Sequence, residues 1–405
     1  MPASSAHIQT RCCIVGGGPA GMMLGFLLAR KGVDVCVLEK HSDFLRDFRG
    51  DTIHPSTLEL LYELNLLDEF LQRPHQELAQ LTGQIGSESV TLADFRHLPT
   101  HCRFIAFMPQ WDFLDFIAEH AKRYPSFKLC MQSEVTGIIQ ENGVTVGVRA
   151  ATAAGALEIR ADLTVAADGR HSTVRARAQL PVTVLGAPMD VLWMRIPRSP
   201  DDVNQALGRI MPGQIFVTIN RDEYWQCALV IPKGTAQEIR NQGLPAFRER
   251  IVRAAPAFHD RVQQLQDWNQ ISLLTVAVDR LVRWYRPGLL CIGDAAHAMS
   301  PIGGVGINLA VQDAVAAANL LASKLAQRAL TEADLNLVQR RREFPTRATQ
   351  AMQVFLQNNV IRPVLGTARP LSLPLPVRLI RRFPVLRRIP ARVIGMGFLP
   401  EHIQC

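Results

Sequence analysis

Apolar residues change their spacing twice within the first 40 residues of the chain. Residues 11–16 are predicted to form a short buried strand, because the run from Cys12 to Gly16 is continuously apolar. Residues 20–31 then carry an apolar stripe, which predicts a helix, and residues 33–38 form a second buried run. This order predicts a strand–helix–strand unit of an α/β sheet with parallel strands.

A glycine-rich turn joins the first strand of this unit to the helix. Gly16, Gly18 and Gly21 give the spacing G-x-G-x-x-G. The first glycine permits the tight turn, the second lets the backbone approach a pyrophosphate, and the third lets the helix pack closely on the strand. Free N–H groups at the helix start would bind the phosphates. The turn therefore predicts a bound dinucleotide.

The residue that ends the second strand narrows the choice of dinucleotide. Glu39 is placed to accept hydrogen bonds from ribose hydroxyls, and its charge would repel a 2′-phosphate. The unit therefore predicts FAD or NAD rather than NADP as the bound ligand. The predicted cofactor-binding residues of this unit are Gly16, Gly18, Pro19, Ala20, Gly21, Glu39 and Lys40.

The middle of the chain has the short runs of a separate sheet. Residues 182–277 contain strand-like runs separated by Pro/Gly turns, whereas an apolar strand and two long helices follow residue 288. We predict four parts: residues 1–180 as the first part of a nucleotide-binding domain, 181–280 as a substrate-binding β-sheet domain, 281–360 as the second part of the nucleotide-binding domain with long helices, and 361–405 as a Pro/Arg-rich tail.

Length and composition fit a soluble protein of about two domains. The chain has 405 residues, of which 48% are hydrophobic and 20% are charged. No secretory signal is visible, and no apolar run reaches the ~18 residues of a membrane span. The eight cysteines show no C-x-x-C spacing. We expect reduced thiols, a cytoplasmic protein and no metal site.

The net charge of +8 belongs to the C-terminal tail. Eight arginines and no acidic residue lie between residues 362 and 392, so the remaining chain is neutral. The arginines alternate with apolar residues and proline without a nucleic-acid-binding motif, so we expect no nucleic-acid partner. Two interpretations stay open. Either the tail packs on its own protein with its arginines paired to acids, or residues 362–392 contact the inner membrane face peripherally.

Two further motifs follow the glycine turn in a fixed order. They are Asp168-Gly169, inside D-G-x-x-S-x-x-R, and Gly293-Asp294, inside G-D-A-A-H. Together with the glycine turn, they resemble the FAD-dependent class A monooxygenases, the group of para-hydroxybenzoate hydroxylase and the ubiquinone-biosynthesis hydroxylases. The resemblance extends to about residue 360. It implies an α/β fold: a Rossmann-like FAD-binding domain, an inserted mixed or antiparallel β-sheet substrate domain, and C-terminal helices.

The resemblance also implies roles for residues beyond the glycine turn. In this family, the residue at Asp294 holds a ribityl hydroxyl of FAD, and those at Asp168 and Arg175 touch both FAD and the incoming nicotinamide cofactor. The implied FAD contacts are Arg49, Gln110, Asp168, Gly169, Arg175, Gly293, Asp294, Pro301, Gly304, Gly306, Ile307 and Asn308. Arg49 and Gln110 would lie near the phosphate and ribityl parts of the cofactor.

A second glycine-rich loop resembles the family's loop beneath the flavin ring. Pro301, Gly303 and Gly304 are the implied catalytic positions, because glycine lets the backbone approach a flat ring closely. The helix that begins near Asn308 would face the pyrimidine end of the ring, where negative charge gathers on reduction. The resemblance assigns no acid–base residue.

The resemblance implies a monooxygenase with non-covalent FAD. NADH or NADPH, bound transiently, would reduce FAD, and O2 would form a C4a-hydroperoxide that hydroxylates an aromatic or other lipophilic small molecule. A flavin-dependent dehydrogenase or double-bond reductase on the same fold stays the alternative. A halogenase would need tryptophan where the chain has Leu192 and Met194. Trp193 and Arg195 alternate on one strand and either line the substrate pocket or face core and solvent.

Overall fold

Runs of consecutive strands are separated by helices along the chain. The computed structural model describes residues 6–45, 52–199, 201–202 and 207–404. The strands are β1 (Ala6–Val15), β2 (Val35–Leu38), β3 (Thr52–Ile53), β4 (Gln76–Leu78), β5 (Gln80–Ile85), β6 (Glu88–Asp94), β7 (Ile105–Phe107), β8 (Phe127–Cys130), β9 (Glu134–Glu141), β10 (Val144–Thr152), β11 (Gly155–Ala166), β12 (Val182–Val184), β13 (Met189–Pro197), β14 (Leu207–Met211), β15 (Gln214–Arg221), β16 (Tyr224–Pro232), β17 (Ser272–Leu274), β18 (Asp279–Leu281), β19 (Tyr285–Arg286) and β20 (Leu289–Cys291).

The helices are distributed along the chain, and the two longest follow residue 305. They are α1 (Pro19–Arg30), α2 (Pro55–Glu63), α3 (Leu67–Phe70), α4 (Gln110–Ala121), α5 (Thr173–Arg177), α6 (Ala236–Asn241), α7 (Gly243–Ala254), α8 (Gly306–Ala326), α9 (Glu332–Leu356), α10 (Arg362–Leu365), α11 (Leu375–Arg382) and α12 (Arg388–Met396). A π-helical turn, Gln357–Ile361, joins α9 to α10.

The first large sheet is the predicted Rossmann-like unit. Its parallel strands lie in the order β20-β11-β1-β2-β8, with β19 antiparallel at one edge and the β9–β10 hairpin attached to β11. Helices α1, α4 and α8 pack together on it, and their apolar side chains form one continuous core with those of β1 and β2. The parallel register brings the carboxyl ends of β1, β11 and β20 to one edge, where α/β sheets bind ligands.

The second large sheet is mixed, as predicted, and it includes two strands from outside residues 181–280. Its order is β17-β13-β16-β15-β14-β5-β6, and only the β14–β5 pair is parallel. Strands β5 and β6 come from residues 80–94, inside the range predicted for the nucleotide-binding domain. The pairing of β5 with β14 spans more than 100 residues of sequence, and a local pattern carries no information on so distant a partner.

The two faces of the second sheet have different partners. One face carries Met194, Phe216 and Cys227, which pack against α6 and α7. The opposite face carries Val191 and Ala228, which contact Ile302 of the second glycine-rich loop. The sheet therefore packs against one side of that loop.

The C-terminal tail is folded onto the protein. The backbone N–H of Gly213 donates to the carbonyl of Val364 at 2.9 Å, so the tail begins along the second sheet. Helix α12 then packs on β6, where Ala391 is fully buried. Glu401 is also buried and pairs with Arg341. The packing of the tail on the protein agrees with the first interpretation. That interpretation also predicts arginines paired to acids, and among the described residues only one tail arginine forms such a pair, as described below.

One stretch of the described residues has the length and composition of a membrane span. It is Ile302–Ala326, which includes α8, and 83% of its most apolar 18-residue window is buried inside the protein. Such burial is typical of a core helix. The tail helices are shorter, with at most nine residues.

Candidate cofactor and active site

The glycine turn after β1 is shaped by two steric contacts. Gly16 has φ +105°, and a Cβ there would collide with the carbonyl of Ala167. A Cβ on Gly21 would collide with the carbonyl of Gly16, so the helix can approach the strand only with glycine at this position. Around Gly18, by contrast, a Cβ would meet no atom within 4 Å. The turn is therefore closed towards the protein and open on the side where a ligand would bind.

The start of α1 offers unpaired donors to that open side. Gly18 is its N-cap and supplies no side chain, and no acidic residue lies in the first turn. Pro19 occupies the first helical position, and Ala20 is buried. The remaining N–H groups and the positive end of the helix dipole suit a diphosphate.

Glu39 has a second role that the sequence did not reveal. One carboxylate oxygen accepts the N–H of Gly17 at 3.0 Å, and the other accepts the N–H of His41 at 3.0 Å. The side chain therefore fixes the glycine turn from the end of β2. Each carboxylate oxygen can accept more than one hydrogen bond, so a ribose hydroxyl can still bind. Lys40, beside it, is exposed.

Asp168 follows β11 and presents an unpaired acceptor. Its Oδ2 accepts the N–H of Val174 at 3.2 Å, whereas its buried Oδ1 has no partner. Burial raises the pKa of this carboxyl, and hydrogen bonds from Ser172 and from backbone N–H groups oppose that rise. A buried acceptor without a donor is costly. A ligand hydroxyl at this position would satisfy it.

Arg175 binds two other parts of the protein. Its guanidinium donates to Asp279 at 3.2 Å and to the carbonyl of Arg170 at 2.7 Å. It therefore holds the turn that contains Gly169, and its implied contact with FAD and the nicotinamide cofactor stays a prediction. Its distant partner Asp279, on β18, has no signal in the local sequence.

Arg170 is a site residue that sequence reasoning missed. Its Nη2 donates to Oδ2 of Asp294 at 3.2 Å, and both side chains are partly exposed. The pair joins the Asp168-Gly169 turn to the Gly293-Asp294 turn. The only sequence signal was that Arg170 occupies a variable position within D-G-x-x-S-x-x-R.

The Gly293-Asp294 turn is fixed from behind by buried charges. The N–H of Gly293 donates to Oδ2 of Asp313 at 3.0 Å. The same carboxylate binds His297 and Arg342, and all three side chains are buried. His297 is therefore a structural residue that supports this turn.

The second glycine-rich loop is attached to the first domain by two polar side chains. Gly303 and Gly304 have φ of +78° and +65°. The hydroxyl of Thr52 donates to the carbonyl of Gly304 at 3.0 Å. The side chain of Asn308 accepts the N–H of His54 at 2.9 Å and the hydroxyl of Thr57 at 2.7 Å. The side-chain oxygen of Asn308 is therefore used by the protein, and any contact of this residue with a cofactor would come from its backbone.

The start of α8, like the start of α1, has no side chain that would block the approach of a ligand to its backbone. The helix begins at Gly306 without a side-chain cap and without an acid in its first turn. A Cβ on Gly306 would meet nothing closer than the Cβ of Met299 at 4.0 Å. Ile307 is buried and Pro301 is half-buried. The helix start can therefore receive a planar, electron-rich group.

The predicted residues converge from three parts of the chain. The Cα of Asp168 would lie 2.9 Å from a Cβ on Gly16, and the Cβ of Ala20 would lie 3.2 Å from a Cβ on Gly293. Gln110 lies at the start of α4 and is half-buried. Arg49 lies outside the described residues. Among the described residues, no group of His, Cys, Asp and Glu could hold a metal ion.

These observations fit FAD. The open glycine turn suits the pyrophosphate, Glu39 and Asp168 suit sugar hydroxyls, and the loop at Gly303 with the start of α8 suits a flat ring. The fold and this site define the class of FAD-dependent oxidoreductases.

Comparison with known proteins identifies the family. Residues 9–352 match the family described as "FAD binding domain", and the chain belongs to that family. The 6-methylpretetramide 4-monooxygenase of Streptomyces rimosus is 34% identical over 396 residues, which cover 97% of this chain and 93% of that protein. The rifampicin monooxygenase of Streptomyces venezuelae is 28% identical over 326 residues, which cover 74% of this chain and 61% of that protein.

Solved structures share the fold. The p-nitrophenol 4-monooxygenase PnpA of Pseudomonas putida has a TM-score of 0.76 and 20% identity, with 96% of each chain covered. The resemblance to class A flavin monooxygenases is thereby confirmed, and the chain is an FAD-dependent monooxygenase.

Proposed function

We propose that this enzyme hydroxylates a planar aromatic compound held between the second sheet and the loop of Pro301 to Gly304. The observation that carries this proposal is the contact of Ile302 with the sheet face that bears Val191 and Ala228. A substrate on that face would lie next to the loop that suits the flavin ring. The relative with 34% identity, a 6-methylpretetramide 4-monooxygenase, supports an aromatic substrate.

The sheet face has an apolar part and a polar part. Trp193 packs among the apolar residues and offers a flat surface to an aromatic ring. Two residues further along β13, the guanidinium of Arg195 lies 4.8 Å from the ring centre of Tyr224. On the neighbouring strands, Arg221 donates to Gln226 at 3.1 Å. The register of the sheet aligns Arg195 with Gln226 and Arg221 with Tyr224, so the four side chains share the face that carries Trp193.

This division predicts the chemistry of the substrate. An aromatic ring system would lie on Trp193, and a phenolate, carbonyl or carboxylate at its end would accept hydrogen bonds from Arg195 or Arg221. Arginine next to a phenolate would favour the ionised form, which is the more electron-rich one. Orientation of the ring by these donors would decide which carbon is hydroxylated.

FAD, when bound, supplies the redox chemistry, and the chain supplies position and charge. The glycine turn and α1 would hold the diphosphate, and Asp168 and Asp294 would hold sugar alcohol groups. The positive end of α8 would stabilise negative charge on the ring. NADH or NADPH is the proposed transient electron donor, and O2 is the co-substrate.

A substrate screen tests the proposal. Candidate phenolic compounds that are substrates should stimulate oxidation of NADH or NADPH, and under ¹⁸O2 the product should gain one labelled oxygen. Arg195→Gln should raise KM or lower coupling of NAD(P)H oxidation to product. Arg240→Gln is the control, because Arg240 is exposed on α6 behind the opposite face of the sheet. Equal kinetics of the two variants would contradict the proposed role of Arg195.

The labelling experiment also separates the alternative activity. A dehydrogenase or double-bond reductase on this fold would convert its substrate without taking up ¹⁸O. We further propose a cytoplasmic location. The thiols of Cys36 and Cys130 lie 3.8 Å apart and are hydrogen-bonded rather than joined by a disulfide, and this arrangement suits a reducing compartment.

A further inference from the structure

Helix α11 and the residues after it form an exposed apolar ridge beside a row of arginines. We define the tail ridge as the exposed apolar side chains Leu375, Leu379, Phe383, Val385 and Ile389. Their exposed fractions range from 43% to 63%. Leu375 and Leu379 are four residues apart, so they lie on one side of α11, and Phe383 directly follows the end of the helix. An apolar row of this kind has no covering element in the described part of the chain.

The arginines lie on the same outward side. Arg378 and Arg382 are exposed, and each is three residues from a leucine of the ridge and therefore next to it on the helix surface. Arg381 pairs with Glu88 of β6, and both side chains are exposed. Within the described residues, this is the only pair between an arginine of residues 362–392 and an acid. The ridge therefore joins apolar surface to unneutralised positive charge.

We propose that the tail ridge docks on an anionic lipid bilayer. The leucine and phenylalanine side chains would enter the headgroup boundary, and Arg378, Arg382 and Arg388 would bind lipid phosphates while their stems lie along the apolar surface. The contact is peripheral, since no tail helix exceeds nine residues. The bilayer face would be the inner one, in keeping with the proposed cytoplasmic location.

Charge favours a bilayer over a second copy of this chain. A symmetric dimer through the ridge would place the same arginines opposite each other. Residues 362–392 contain no acidic residue to neutralise them. A bilayer with anionic lipids supplies many acceptors that rearrange around a convex ridge.

The ridge continues from the segment that covers the proposed substrate face. Ile361 and Leu365, like Ile302, pack against the apolar cluster on the face of the second sheet that carries Val191. Ile361 ends a π-helical turn, a rare conformation that is often found at functional sites. Docking of the ridge would therefore bring the edge of the substrate face close to the bilayer. The docking proposal itself rests on the ridge and does not depend on the identity of the reaction.

Vesicle sedimentation with the full-length, FAD-loaded protein tests the proposal. The protein should sediment with vesicles of phosphatidylcholine and phosphatidylglycerol at low salt, and not with pure phosphatidylcholine. High salt should release it. Arg378→Gln with Arg382→Gln should weaken binding about fivefold for each charge removed, as expected for about 1 kcal/mol per arginine near an anionic surface. Leu379→Ser with Phe383→Ser should also abolish most binding.

Matched controls lie elsewhere on the surface. Arg240→Gln with Arg253→Gln removes two exposed arginines from α6 and α7, and Phe344→Ser removes a phenylalanine of α9 that is 59% exposed. These controls should bind vesicles like the wild type, and all variants should keep the flavin absorbance spectrum.

Three results would overturn the proposal. One is failure of the wild type to bind anionic vesicles at low salt. Another is binding that the ridge variants leave unchanged. The third is self-association in solution that the ridge variants abolish while vesicles are ignored, which would make the ridge a dimer contact.

Discussion

Oδ2 of Asp313 lies 2.5 Å from Nε2 of His297, and both side chains are buried. The other carboxylate oxygen accepts from Nε of Arg342 at 2.9 Å. Burial alone would raise the pKa of Asp313, but the charges and hydrogen bonds of His297 and Arg342 outweigh it and keep the pKa below its ordinary value. Because the N–H of Gly293 donates to the same carboxylate, this ion cluster holds the Gly293-Asp294 turn in place.

Replacement of Asp313 should be strongly destabilising. Asp313→Asn leaves the buried guanidinium of Arg342 without its closest counter-charge, and loss of one partner of a buried pair costs about 3–5 kcal/mol. The free energy of unfolding from a urea titration measures the effect. Glu332→Gln is the control, since Glu332 pairs with Arg283 at the surface and should contribute less than about 1 kcal/mol. Equal losses in the two variants would contradict the structural role of the cluster.

His54 should make stability depend on pH. Its Nδ1 donates to the carbonyl of Ile394 at 2.7 Å, which ties α12 to the start of α2. Burial lowers the pKa of His54 to about 4, against the opposing effect of that hydrogen bond. Between about pH 6.5 and about pH 4, His54 therefore carries a proton in the unfolded chain but not in the folded protein. Stability is present above this window and is lost as the pH falls through it.

The size of this effect can be measured by comparing the wild type with a variant that lacks the histidine. Between pH 7 and pH 5, His54 should account for a loss of about 2 kcal/mol in the free energy of unfolding. His54→Asn can keep the donor to Ile394 but cannot titrate, so its loss over this interval should be smaller by that amount. Parallel pH profiles for the variant and the wild type would show that His54 is protonated equally in both states.

Asp294 should contribute to retention of FAD. Asp294→Ala removes a carboxylate proposed to bind a sugar hydroxyl, and a hydrogen bond to a charged group is worth about 1.5–3 kcal/mol. The dissociation constant of FAD, measured by fluorescence titration of the apoprotein, should therefore rise roughly tenfold to hundredfold. Asp162→Ala is the control, since Asp162 pairs with Arg11 at the surface. An unchanged dissociation constant for Asp294→Ala would remove it from the cofactor site.

The sequence alone could predict those parts of the site that depend on residues close to one another along the chain. The positive φ of Gly16 and the position of Glu39 follow from a strand–turn–helix unit of about 30 residues, so a spacing pattern was sufficient. The contacts of Asn308 were not predictable in this way. Its side chain binds His54 across 254 residues and Thr57 across 251 residues, and only the folded chain brings them together.

The same limit applies to the second sheet. Strand β5 pairs with β14, a partner that only the tertiary fold selects. In the tail, Pro374 is the N-cap of the short helix α11 and Pro376 lies in its first turn, where proline is tolerated.

Two glycines of the cofactor loop should respond differently to a side chain. Gly304 has φ +65°, and a Cβ there would collide with the hydroxyl of Thr52, so Gly304→Ala should lower the melting temperature and loosen the loop from β3. Gly306 has an ordinary backbone conformation, and its Cβ position is open, so Gly306→Val should melt close to the wild type. If the flavin ring lies against this backbone, Gly306→Val should nevertheless slow flavin reduction or turnover. Thermal melts of the apoproteins, combined with stopped-flow flavin reduction of the loaded proteins, separate the two effects. Normal reduction and turnover in Gly306→Val would show that the ring does not approach the start of α8.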